Sequence, residues 1–97
     1  LGLNSLITLS LADNKIESIE ENTFYHTPKL EILWMDRNRL KKISNGMLNG
    51  LNSLKFFTLT ENQIELIEDN CFADLKRLEN FQLSRNLIKN LDEKSLI

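Results

Sequence analysis

The sequence has one cysteine, Cys71, so no internal disulfide can brace it and cysteine usage does not set a redox compartment. It has one histidine, His26, with no cysteine or second histidine at ligand spacing, so a metal site is not expected. No apolar run approaches the ~20 residues that a membrane-spanning helix needs. No basic segment followed by an apolar stretch opens the chain at Leu1, so no signal peptide is legible. Neither charge dominates: Lys+Arg 12 against Asp+Glu 14 leaves a formal net charge of -2. That balance lacks the basic footprint of a nucleic-acid partner. Acceptors for N-linked glycans are missing too, since Asn4-Ser5-Leu6 and Asn22-Thr23-Phe24 both miss the N-x-Ser/Thr spacing.

Catalytic patterns are equally scarce. A Cys–His nucleophile pair needs hydrogen-bond distance between the two side chains, and Cys71 and His26 fall at different points of the pattern described below. The carboxylate pairs Glu20-Glu21 and Glu68-Asp69 read as solvated surface. Gly46 and Gly50 each follow an asparagine and read as turn signals, not as a phosphate-cradling loop. No catalytic residue and no cofactor are assigned.

What is present is a period. Asn14, Asn38, Asn62 and Asn86 are spaced by 24 residues without insertion or deletion. Leu6, Leu30, Leu54 and Leu78 keep the same step, and five further apolar columns follow it. They are Leu9/Leu33/Phe57/Phe81, Leu11/Met35/Leu59/Leu83, Ile16/Leu40/Ile64/Ile88, Ile19/Ile43/Ile67/Leu91 and Phe24/Leu48/Phe72/Leu96. A fixed period of this length marks a stacked-repeat architecture. Within each copy, Leu9-Ser10-Leu11 and its counterparts alternate in period two, which predicts a short strand. One such strand cannot bury its apolar side alone, so successive copies must stack around a shared core. Copies running the same way predict a parallel sheet. About 15 residues with sparse apolar positions return the chain, predicting turns, extended pieces or short 3₁₀ helices on the far side. The asparagine column reads as structural, because its amide can satisfy backbone groups where the chain turns off each strand.

The unit L-x-x-L-x-L-x-x-N-x-L-x-x-I-x-x-x-x-F resembles the leucine-rich repeat family in its 24-residue variety, over Leu6–Ile97. The resemblance implies a solenoid of the α/β class: a curved, right-handed horseshoe segment with a concave parallel β-sheet and mostly irregular or 3₁₀ convex return segments. The whole chain, 1–97, is read as one such segment, with repeats at about 6–29, 30–53, 54–77 and 78–97. Neither end shows the cysteine-rich cap usual in extracellular members, so an uncapped piece of a longer protein is expected, open to self-association through its end strands. The family often has an apolar residue in the column Leu3, Leu51, Leu75, where the first full copy has Thr27 followed by Pro28. A kink or looser return segment is expected there. Cys71 shares a column with Thr23, Met47 and Ser95 and reads as a small semi-buried residue.

Side chains between the buried strand positions should face outward. Those columns are Thr8/Ile32/Phe56/Asn80, Ser10/Trp34/Thr58/Gln82 and Ala12/Asp36/Thr60/Ser84, followed by Asp13/Arg37/Glu61/Arg85. Ile32, Trp34 and Phe56 are large apolar groups at positions this architecture leaves open, with Trp34 diagonal to Phe56. Ringed by Asp36, Arg37, Thr58 and Glu61, they make a candidate protein-binding surface that extends to Asn80, Gln82 and Arg85. Two columns, Asp13/Arg37/Glu61/Arg85 and Glu17/Lys41/Glu65/Lys89, alternate in sign and predict ladders of opposite charge that disfavour slippage by one whole copy. The alternative is a basic band of Arg37, Arg39, Lys41 and Lys42 facing an acidic partner.

The resemblance is to the extracellular branch of the family, such as Toll-like receptors, Slit-like proteins and insect leucine-rich repeat surface proteins. It implies a non-enzymatic scaffold, part of a receptor ectodomain or secreted binding protein at the cell surface, engaging a protein ligand on the concave face. A structural module for dimerisation or spacing, and a cytoplasmic scaffold, remain as alternatives. The partner is a protein ligand or partner subunit, with no nucleic acid and no direct membrane insertion by this segment.

Overall fold

The computed structural model describes residues 5–88. The strands among them are β1 (Thr8–Ser10), β2 (Ile32–Trp34), β3 (Lys42–Ile43), β4 (Phe56–Thr58), β5 (Leu66–Ile67) and β6 (Asn80–Gln82). β1, β2, β4 and β6 form a parallel sheet in that order, registered Thr8↔Ile32, Ile32↔Phe56 and Phe56↔Asn80. Each step in register is the 24-residue step of the sequence. β3 and β5 make a second, two-stranded parallel sheet, pairing Lys42 with Leu66 and Ile43 with Ile67.

The period-two alternation of each strand decides which side chains go inside. Leu33 and Phe57, at the centres of β2 and β4, are fully enclosed, and their counterparts Leu9 and Phe81 are half-buried against the same core. Leu30, Met35, Leu40, Ile43, Leu48, Leu54, Leu59 and Ile64 complete that core from the other apolar columns. Full burial of one such side chain contributes roughly 1.5–3 kcal/mol, so the middle copies carry most of the hydrophobic stabilisation. Phenylalanine replaces leucine in the third and fourth copies as a set. The Phe57 and Phe81 rings stack at 5.5 Å, and Phe72 meets Phe81 edge-on at 5.0 Å. Leu91 and Leu96, which close two of the columns, lie outside the described residues, as do Leu3, Lys89 and Ser95.

The return segments are turns, and no α-helix occurs among the described residues. The kink expected at Thr27-Pro28 is absent. Thr27 N–H donates to the Phe24 carbonyl and Leu30 N–H to the Thr27 carbonyl, both at 3.1 Å, as Leu51, Leu54, Leu75 and Leu78 do in later copies. Thr27 is buried in the apolar column because its hydroxyl donates to the Phe24 carbonyl at 3.0 Å, leaving only the methyl to face the core. Pro28 stands where Asn52 and Lys76 donate to Gly50 and Asp74 carbonyls, so its ring removes one turn hydrogen bond and leaves the path unchanged.

The asparagines do more than close their own turns. Asn62 Nδ2 donates to the Leu59 carbonyl of its own copy and the Met35 carbonyl of the preceding one, both at 3.0 Å. Its Oδ1 accepts from Leu40 N–H at 3.1 Å. Asn38 repeats the set with Met35, Leu11 and Ile16, and Asn86 with Leu83, Leu59 and Ile64. Asn14 donates to Leu11 and Ala12 and is exposed. Two columns take left-handed backbone: Asp13, Arg37, Glu61 and Arg85 just before each asparagine, with φ between 56° and 60°, and Asn22, Gly46 and Asn70 at the return turn. The second column holds residues that tolerate this region. In the first only Asp13 does; Arg37, Glu61 and Arg85 take it reluctantly, and the asparagine bonds hold their turns closed.

Asn62→Ala is expected to destabilise the protein by about 3 kcal/mol, since it orphans the buried Leu40 N–H and removes one of the two amide donors at each of the Met35 and Leu59 carbonyls, which keep Asn38 and Asn86. Asn14→Ala should cost about 1 kcal/mol or less, because the groups it leaves are exposed to water. Urea unfolding of the two variants compares them directly. Equal losses would show that the bridge between copies contributes nothing.

Candidate functional site

The outward face of the major sheet carries the predicted surface residues. Trp34 on β2 and Phe56 on β4 are large hydrophobic side chains left 42% and 40% exposed. The register puts Ile32 beside Phe56 and Trp34 beside Thr58, which makes Trp34 and Phe56 diagonal neighbours. No ring contact joins them among the described residues, so they stand as two separate prominences. Ile32 is half-buried, and Asn80 and Gln82 on β6 are exposed.

Thr58 corrects the sequence reading. It was expected in the exposed rim, yet it is only 8% exposed. Its side chain is shorter than those of Trp34 and Gln82 on the flanking strands, and it lies below them. Its Oγ1 is buried with no hydrogen-bond partner. A buried hydroxyl in that state costs roughly 1–3 kcal/mol of desolvation. Asp36 also has a structural task. Its Oδ1 accepts the Thr60 N–H at 3.0 Å across the strands.

The charge column beside the sheet resolves into two ion pairs. Arg37 reaches Asp13 through two hydrogen bonds, Nη2 to Oδ2 at 3.0 Å and Nε to Oδ1 at 2.5 Å. Arg85 Nη1 meets Glu61 Oε1 at 3.0 Å. The Arg37 hydrogen bond holds the Asp13 carboxyl below its ordinary range, and the same bond raises the Arg37 guanidinium. Both groups are open to solvent, so the pair fixes geometry more than it stabilises the fold. Among the described residues the second predicted ladder makes no ion pair: Glu17, Lys41 and Glu65 are exposed on segments without regular structure, and Lys89 lies outside the described residues. The basic band is broken as well, because Arg37 is tied to Asp13 and Lys42 to Glu68 at 3.8 Å.

Cys71 is buried, and that burial pushes its thiol up to about 11. Among the described residues no helix is long and apolar enough to cross a membrane.

The sequence matches the leucine rich repeat family over residues 1–40 and 28–88. The chain belongs to the leucine-rich repeat family. Its domains are generally non-enzymatic modules for protein–protein interaction. Solved structures agree: 37 chains match. One, the crystal structure of the leucine-rich repeat domain of APL1B, superposes with a TM-score of 0.86 at 28% identity. The match covers 95% of this chain and 29% of that one, so this chain spans under a third of that relative. No curated protein sequence matches significantly.

Two outcomes follow from the site. Thr58→Val should raise stability by about 1 kcal/mol in urea unfolding, since it keeps the shape and removes the orphan hydroxyl. A loss of that size would mean the hydroxyl has a partner in solution. Cys71 should react with iodoacetamide at pH 7 roughly 100-fold more slowly in the folded chain than in urea, because a thiol shifted up by about two pH units holds that much less thiolate. Equal rates would place the thiol at the surface.

Proposed function

We propose that this chain is a segment of a receptor ectodomain or a secreted recognition protein, and that it binds a protein ligand on the concave sheet without catalysing a reaction. The observation that carries the reading is the exposure of Trp34 and Phe56 on neighbouring strands of one sheet. Rigid aromatic side chains that protrude from an ordered sheet lose little freedom on binding and bury large area, which is why such groups dominate interface energetics. The extracellular or cell-surface setting follows the resemblance of the 24-residue unit to the extracellular branch of the family. The leucine-rich repeat relative in the solved structures supports the scaffold role.

A second reading is an assembly module. It is favoured by Leu66, which is exposed on the minor sheet and borders a hollow with Ile19 and Ser18. Sedimentation of the chain over a range of concentrations separates the two: recognition needs a monomer with a free sheet face, and assembly needs a concentration-dependent dimer.

An array of purified ectodomains and secreted proteins tests the leading reading. A ligand found there should bind Trp34→Ala at least about 30-fold more weakly, the size expected for removing a central aromatic anchor. Tyr25→Ala, on the return side, should bind as the parent does. Both variants should keep the parent's thermal midpoint. Binding that survives Trp34→Ala and is lost in Tyr25→Ala would overturn the concave-sheet reading.

A further inference from the structure

The outward face of the major sheet is stepped. On β1 and just after it the residues are small, Thr8, Ser10 and Ala12, whereas the next strand raises Trp34. The step leaves an open hollow of about 410 Å³, with Thr8, Ser10 and Ala12 on one side and Trp34 on the other. Asp36, Asp13 and Arg37 close its end. The charges there do not cancel. Arg37 is engaged by Asp13 through both of its hydrogen bonds, so those two neutralise each other. Asp36 is left over. Its Oδ1 is held by the Thr60 N–H, which fixes the carboxylate in place, and its Oδ2 makes no hydrogen bond among the described residues.

An aromatic wall, a small-residue floor and one fixed carboxylate with a free oxygen define a chemistry. An apolar side chain would fill the hollow but leave Asp36 facing it. An acidic one would meet a like charge. A cationic side chain stacks its charge over the indole and pairs with the carboxylate, and the two attractions act together. We infer that the hollow between β1 and Trp34 receives an arginine or lysine side chain of the protein ligand. The inference rests on the concave-sheet reading above and deepens it by naming the chemistry of the ligand's anchor.

The chain contains a single tryptophan, so intrinsic fluorescence reports on Trp34 alone. The probes are five capped pentapeptides, Gly-Ser-X-Ser-Gly, with arginine, lysine, citrulline, leucine or glutamate at X. The arginine and lysine peptides should change the emission saturably. Citrulline, which keeps the planar shape without the charge, should bind at least about tenfold more weakly than arginine, and glutamate should leave the emission unchanged. Asp36→Asn keeps an Oδ1 acceptor for the Thr60 N–H and removes the charge. It should weaken the arginine peptide about fivefold to tenfold with the thermal midpoint unchanged. Equal binding of citrulline and arginine, or tightest binding of the leucine peptide, would overturn the cation assignment while leaving Trp34 as a contact of the sheet face. Emission that responds to protein concentration alone would give the notch to a second copy and overturn it too. Silence of Trp34 towards all five peptides refutes the inference, whereas the recognition reading stands or falls on the ectodomain array.

Discussion

The carboxamide of Asn38, Asn62 and Asn86 is the contact on which the architecture depends. Each amide closes its own turn, donates to a carbonyl of the copy before it and accepts an N–H from that same earlier copy. A hydrophobic core alone would leave the turns with buried, unpaired backbone groups. The bridge removes that cost and sets the distance between neighbours. It also stabilises the left-handed backbone at Arg37, Glu61 and Arg85, residues that take this conformation reluctantly. Strand registry, the closed core and the presentation of Trp34 and Phe56 all follow from it.

The fold was legible because every apolar column obeys the same 24-residue step, and side-chain alternation on a strand leaves only one way in. The sheet, its register and the structural role of the asparagines could be read directly. Other features could not. Thr27 looked like a defect because its hydroxyl is polar, but a bond to the Phe24 carbonyl three residues back makes it behave as an apolar residue. The left-handed column before the asparagines has no glycine to announce it; the other, Asn22/Gly46/Asn70, carried that signal and was readable in principle. The β3–β5 sheet escaped because two-residue strands are too short to show alternation.

On the candidate surface, alternation placed the outward columns correctly, but relative height decided what is reachable. Thr58 belongs to an outward column, yet it sits below Trp34 and Gln82 because its side chain is shorter than theirs. Asp36 likewise points out, and one of its oxygens serves the backbone. A periodic pattern gives direction, not elevation. On a sheet of unequal side chains the hollows lie beside the tallest residues, here between Trp34 and the small residues of β1.

The ion pairs beside the sheet have a different rhythm from the rest of the molecule. Asp13 joins Arg37 and Glu61 joins Arg85, so the sign pattern returns only after two copies. The packed interior has no such alternation, because its columns stay apolar in every copy. Excising one copy cleanly would therefore rejoin the core and the asparagine bridges but bring Asp13 against Glu61. Excising two would restore an acid facing a base. Measured by its electrostatics, the smallest interchangeable part of this solenoid is a pair of copies.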